Sequence, residues 1–333
     1  MFDEKLYQET ISTLHASEDT LSEVMNMTHK TKKRGGLSTA AVLAAVIAAL
    51  CCTAAAAAAL GLDQRLAEYF GATAEQEELL STAAVPMDIV KRNGGAMLRI
   101  EQVIADRYCA AILIDFTAPE GTVLDEDYYA FDETVSATSK DGVTMQTWGV
   151  GWEVLPGSTE NETGRHAAIL MTIQSLNGEF NFLGAKVELA LDGLYRDNLG
   201  QELVVPGRWN CTLTLPETDP GRLRTVNEPI EIEGKNAMLT TLYVSPLSLT
   251  CEIRQGTDDL KETVEAIYRD EGKESIAPEA TLQSGETVGA AERLFLMTNY
   301  LDKRGRYCFR MDEILDPETV SSVTAFGETF SIE

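Results

Sequence analysis

Met97-Leu98-Arg99-Ile100-Glu101-Gln102-Val103-Ile104 and, after a short break, Ala110-Ala111-Ile112-Leu113-Ile114-Asp115-Phe116 decide the fold class. Alternation and β-branched runs of this kind read as strands. The same signal recurs at Val143–Val154, Ala167–Ser175 and Lys186–Leu191, and Gly, Pro, Asn and Asp clusters separate the runs at short intervals. A second series starts near Gln201, with Arg208–Leu215, Pro229–Glu233, Met238–Val244, Leu247–Arg254, Leu294–Asn299, Tyr307–Arg310 and Ser322–Phe330. Residues 258–270 read as a short helix or a polar strand. Strands follow one another without regular helical crossovers, which argues against a parallel α/β sheet. The expected fold is mainly β: two tandem immunoglobulin-like antiparallel sandwiches, over 86–200 and 201–333. Gly95-Ala96-Met97-Leu98 opens a strand in the first series, and Asn236-Ala237-Met238-Leu239 opens one in the second.

Working outward, residues 63–82 read as a helical stalk broken at Gly71, with Leu66, Tyr69, Phe70, Leu79 and Leu80 as its apolar contacts; the stalk is taken as 63–85. Before it, residues 37–62 carry no charged side chain. As a helix, 26 residues would span about 39 Å, against about 30 Å of hydrocarbon. Lys30, Lys32, Lys33 and Arg34 precede this segment and Asp63 follows it. The positive-inside rule then predicts a single-pass membrane protein with 1–36 cytoplasmic and 63–333 extracytoplasmic. A cleaved signal peptide competes, because the Ala run offers many A-x-A sites. The 36-residue leading region, with a helical pattern of its own, favours an uncleaved anchor.

Within that leading region Tyr7, Ile11, Leu14, Leu21 and Met25 fall on one helical face. Two short helices are predicted, over 3–15 and 18–30, the second capped by Ser17. Thirty residues cannot bury such a stripe alone, so it is expected to meet a partner.

Charge and chemistry exclude several classes. The chain of 333 residues holds 27 basic and 53 acidic groups, a net −26, of which 22 basic and 47 acidic lie in 63–333. Such a surface repels nucleic-acid phosphates. Gly149 and Gly151 lack the third glycine of a phosphate loop, and the flanking Trp148 and Trp152 suit a packing strand. There is no C-x-x-C, H-E-x-x-H or EF-hand loop, and His166 is the only His after the apolar segment. No catalytic residue, metal site or cofactor is expected. Asp125, Glu126, Asp127, Asp132 and Glu133 cluster around Tyr128, Tyr129 and Phe131 and read as a solvated acidic loop, with calcium as the sharper alternative. Cys109, Cys211, Cys251 and Cys308 lie in or beside strand patterns, where buried thiols and disulfides are both natural; Cys211 and Cys251 are the expected neighbours.

Leu14-His15-Ala16-Ser17 before an acidic helix, Leu60-Gly61 leading to Tyr69-Phe70-Gly71, and Ala118-Pro119-Glu120-Gly121-Thr122 carry a resemblance. Tyr243-Val244-Ser245-Pro246-Leu247-Ser248-Leu249 and Val320–Ile332, with Gly327 between two strand halves, extend it. The chain resembles the membrane-anchored domain-of-unknown-function 4179 group of Gram-positive bacteria, taken for anti-sigma factors or envelope sensors. The resemblance implies a sigma factor as the partner of the cytoplasmic stripe and a sensory outer region. It rests on packing and turn residues. At 36 residues the cytoplasmic piece is shorter than well-studied anti-sigma domains. The competing expectation is a cell-surface binding or adhesion module in which residues 1–36 only set topology.

Overall fold

The computed structural model describes residues 64–70, 72–146, 148–159, 163–175, 180–197, 200–232, 234–256, 277–299, 304–311 and 314–332. The membrane segment expected at 37–62 and the stripe Tyr7, Ile11, Leu14, Leu21 and Met25 lie outside the described residues, as do Lys30, Lys32, Lys33 and Arg34 and the segment 258–270. Among the described residues no helix is long and apolar enough to cross a membrane.

Two short helices come first, α1 (Gln64–Tyr69) and α2 (Ala74–Ala83). Thr73 caps α2 through a capping box with Gln76. They do not stand free as a stalk. Leu66, Leu80 and Ala83 pack on Ile104, Ala111, Leu113, Ala168 and Leu170, the outer face of the first sheet. A ten-residue helix cannot persist alone in water, so burial of this apolar side is what keeps it folded.

The first β unit contains β1 (Ala84–Asn93), β2 (Ala96–Ala105), β3 (Cys109–Thr117), β4 (Ala130–Thr138), β5 (Trp148–Val154), β6 (His166–Ser175), β7 (Lys186–Tyr195) and β8 (Leu203–Thr214). One sheet has the order β1-β2-β3-β6-β5 and the other β4-β7-β8. All pairings are antiparallel. Their facing sides share one core around Phe116, Phe131, Phe180, Phe182 and Trp209.

The second unit holds β9 (Arg222–Ile232), β10 (Lys235–Val244), β11 (Leu249–Gln255), β12 (Glu279–Leu282), β13 (Thr287–Asn299), β14 (Arg304–Met311), β15 (Val320–Ala325) and β16 (Glu328–Ser331). Here the order is β16-β15-β12-β13-β14-β11-β10-β9, a single sheet. Residues from both ends of it (Ile230 and Leu239, Val323 and Phe330) fill one core, so the sheet folds over on itself.

Several expectations are corrected. β8 belongs to the first unit, with Trp209, Cys211, Leu213 and Leu215 in that core, so the expected boundary at 200/201 falls too early. Cys211 therefore sits in the first core and Cys251 in the second, which separates the expected neighbours. All four described cysteines are buried free thiols. Burial pushes each of them up, Cys308 to about 12. The run at Ser322–Phe330 is two strands turned at Phe326-Gly327, both with positive φ, in keeping with the two strand halves read on either side of Gly327.

The two units repeat one plan. β1-β2 and β9-β10 are hairpins closed by the pairs Asn93–Ala96 and Ile232–Lys235, with Gly94-Gly95 turning the first and Gly234 in the turn of the second. Gly94 and Gly95 both have positive φ, which only glycine adopts cheaply in such turns. The register between β2 and β3 slips between Ile100 and Gln102, and that between β10 and β11 slips between Leu239 and Thr241. Next come matching turns. Asp106 N donates to Cys109 O at 2.9 Å, and Ser245 N donates to Ser248 O at 2.8 Å. The Asp106 carboxylate accepts from Tyr108 N and Cys109 N at 2.7 and 2.8 Å, as the Ser245 hydroxyl accepts from Leu247 N and Ser248 N at 3.2 and 2.9 Å.

These twin turns meet. The Ser245 and Ser248 hydroxyls donate to the second oxygen of Asp106 at 2.6 and 2.7 Å. Asp106 is fully buried and accepts from four donors, which makes a buried carboxylate tolerable. Around it, Arg107 pairs with Asp219 at 2.5 Å and the Tyr243 hydroxyl donates to Asp219 at 2.8 Å. The buried Arg306 guanidinium lies 4.1 Å over the Tyr108 ring and binds Glu252.

Candidate functional site

A sandwich with two separate sheets has two open sides. In the first unit β4 ends one sheet and β5 ends the other, and the described residues show no ladder between them; the bridge Thr138–Thr144 joins the end of β4 to the loop before β5. In the second unit the corresponding strands β12 and β13 are hydrogen-bonded through Glu279–Gly289, Ala280–Val288 and Thr281–Thr287. One side is zipped and the other stands open. The opening is a cleft of about 510 Å³, lined by Tyr128, Ala130, Phe131, Asp132, Glu133, Val150, Trp152, Tyr195, Asp197 and Gly200.

Its chemistry follows from local structure. Along β4, Phe131, Val135 and Ala137 turn inward and Asp132, Thr134 and Ser136 outward. That period-two pattern puts Glu133 on the inward side, where an apolar residue would ordinarily pack. The indole Nε1–H of Trp152 donates to Glu133 at 3.3 Å. Burial raises the Glu133 carboxyl above its ordinary value; the indole bond pulls it down and the Asp132 charge pushes it up. Phe131 forms the floor, 5.4 Å from Trp152 and 5.8 Å from the core residue Trp209 between ring centres. Burial also raises the Tyr128 hydroxyl, as do the charges of Glu133 and Asp197 beside it.

Gly193 shapes the far wall. It has φ +58°, and register slips beside it in both flanking pairings. Such a bulge re-aims the residues that follow, here Tyr195. The Asp197 carboxylate then accepts from Gln201 N at 3.1 Å and Glu202 N at 2.5 Å, which closes the loop.

The acidic cluster seen in the sequence is thereby split. Asp125 N and Glu126 N donate to the buried Tyr129 hydroxyl at 3.0 and 3.2 Å, fixing a loop that leaves Asp125 and Asp127 exposed. Asp132 and Glu133 belong to a strand and line the cleft instead. Among the described residues no group of three or more His, Cys, Asp or Glu could hold a metal ion. His166 is half-buried in β6 and bonds Asp115 at 2.6 Å. Sequence reasoning missed Trp152, Tyr195 and Asp197 as site residues. The available signal was Glu133 at an inward position of an alternating run.

No protein-family model matches the chain. No curated protein matches it. Among solved structures, a conserved domain protein from Bacillus anthracis is similar at a TM-score of 0.50 and 14% identity, covering 72% of this chain and 75% of that one. At that identity the likeness concerns the fold. The N-terminal periplasmic domain of ScsB from Proteus mirabilis aligns over 74% of this chain and 95% of its own, at 10% identity and a TM-score of 0.20, too low to argue from.

Proposed function

We propose that the chain is a single-pass membrane regulator. Its N-terminal stripe (Tyr7, Ile11, Leu14, Leu21, Met25) binds a sigma factor in the cytoplasm, and its outer region senses a ligand. In this reading Lys30, Lys32, Lys33 and Arg34 hold the N-terminus inside, and 63–333 lies outside. Both outer units are immunoglobulin-like. The orders β2-β3-β6-β5 with β4-β7-β8, and β10-β11-β14-β13 with β12-β15-β16, match the constant-type arrangement, each with one added leading strand.

The observation that carries the sensory part is the contrast between the units. A cleft lined by aromatic rings and carboxylates stands open in the first, where the second is zipped. Half-wet aromatic residues forgo about 25 cal/mol per Å² of apolar burial, a cost that a ligand site explains. The test is a pull-down from native extract with residues 1–36 as bait and the Leu14→Asp/Leu21→Asp double variant as control. Recovery of a sigma factor by the wild type alone supports the regulator. An intact bait that recovers nothing moves the reading to a surface binding module, in which the cleft serves adhesion.

A further inference from the structure

The cleft has a defined chemistry. Four aromatic side chains (Tyr128, Phe131, Trp152, Tyr195) and three carboxylates (Asp132, Glu133, Asp197) line it, and among the described residues no Lys, Arg or His does. Aromatic faces carry negative potential and attract cations, most of all where water is thinned. Glu133 sharpens the case. An acid at an inward strand position is poorly hydrated and lies next to Asp132 on the same strand, and the hydrogen bonds it accepts come from neutral donors, the Trp152 indole and its own backbone N–H. A cation seated there would relieve both the desolvation and the repulsion. An anion would meet three carboxylates. A neutral sugar would stack on the rings and leave the carboxylates uncompensated.

We propose that the cleft binds an alkylammonium ion, its chain against Phe131, Trp152 and Tyr195 and an ammonium group on Glu133. The proposal rests on the reading of the outer region as a ligand-binding sensor and names the ligand class. At about 510 Å³ the cleft has room for a chain with more than one ammonium group, and Asp197 on the opposite loop offers a second anchor.

The experiment uses the full-length chain in detergent micelles, with spermidine as the probe and maltose as a neutral control. Calorimetric titration is paired with tryptophan fluorescence, which Trp152 should report. Saturable one-to-one binding of spermidine is expected, weakened at least about tenfold by Glu133→Gln and by Trp152→Leu. Glu231→Gln, an exposed change on β9 in the second unit, should leave affinity within about twofold. Equal weakening by Glu231→Gln would mean diffuse attraction to a −26 chain and would overturn the proposal. So would the absence of saturable spermidine binding. Maltose binding that disappears in Trp152→Leu, without spermidine binding, would overturn the cation class while keeping the cleft as the site. Should Glu133→Gln fail to fold, Glu133→Asp, which withdraws the charge by one methylene, is expected to weaken spermidine as well. The sigma-factor pull-down contains none of the outer region, so the two readings fail separately.

Discussion

The two β units share strand order, hairpin turns and bulge positions, yet one side is open in the first and sealed in the second. The difference lies in two strands. β4 has nine residues and stays with its own sheet; β12 has four and joins β13. Closing the second unit leaves few unpaired edges. Leaving the first unit open keeps Trp152 and Glu133 accessible. A shared plan thus has two outcomes: the second unit is zipped along one side, and the first carries the candidate site there.

The largest expected effect comes from breaking the seam that joins the units. Asp106→Ala removes the acceptor of four buried donors, at about 1–3 kcal/mol each before relaxation, so a loss of about 4 kcal/mol or more is expected. Differential calorimetry should then resolve two transitions in place of one. A single transition at an unchanged temperature would mean that the apolar contacts around Leu247 and Ile314 hold the units without Asp106.

Gly193→Ala comes next. A Cβ there would lie 2.7 Å from Leu203 Cδ1, and φ +58° is unfavourable for alanine. A loss of about 2 kcal/mol is expected, from strain and displaced side chains together. Because Tyr195 lies two residues on, the variant should also weaken ligand binding in the first unit, whereas destabilisation alone would spare binding below the melting temperature.

Much of the strand series was legible because most strands alternate cleanly or run apolar. β4 was not. Its Asp132-Glu133 pair made an acidic loop the natural reading, although Phe131, Val135 and Ala137 keep the period of a strand. The repeat was only half legible. The matching Ala-Met-Leu triplets fall on β2 and β10, the corresponding strands, but two residues out of register: turns and bulges align Ile100 with Leu239 and Asp106 with Ser245. In that register, 84–117 against 223–256, only Gly95/Gly234 and Ile114/Ile253 are identical. Backbone turns and burial preserve the plan with little help from residue identity. The cleft was hidden because Tyr128, Trp152 and Tyr195 are far apart in sequence and meet only where two sheet edges part.

Glu133→Leu should separate stability from function. It places an apolar side chain where the pattern of β4 asks for one, and Trp152 Nε1 is near enough to the opening to find water. A gain of about 1 kcal/mol in unfolding free energy is expected, together with loss of spermidine binding. Denaturant midpoints and titration of the same preparation read both effects. A destabilised variant would mean that the indole–carboxylate bond holds β5 against β4.

The smallest effect is pH-dependent and belongs to the first unit alone. Arg65 of α1 pairs with Glu101 and, at 3.6 Å, with Asp115, which His166 meets at 2.6 Å. The position matching Asp115 in the second unit is Arg254, which is exposed. Burial raises the Asp115 carboxyl, but the His166 hydrogen bond and charge, with Arg65 and Arg99, outweigh it and hold it below 3.8. The Asp115 hydrogen bond, opposed by burial, lifts His166 above 6.5. The carboxylate's contribution is therefore present above pH 3.8 and fades as pH falls through the lowered value. The imidazolium's contribution is complete below pH 6.5 and fades as pH rises through the raised one. The helices should be held most firmly between those limits, by about 1 kcal/mol given the partial exposure of the three groups. Thermal unfolding from pH 3 to 9 should show that window in the wild type and lose it in Asp115→Asn. A window that survives the substitution would assign the pH dependence to groups other than this clamp.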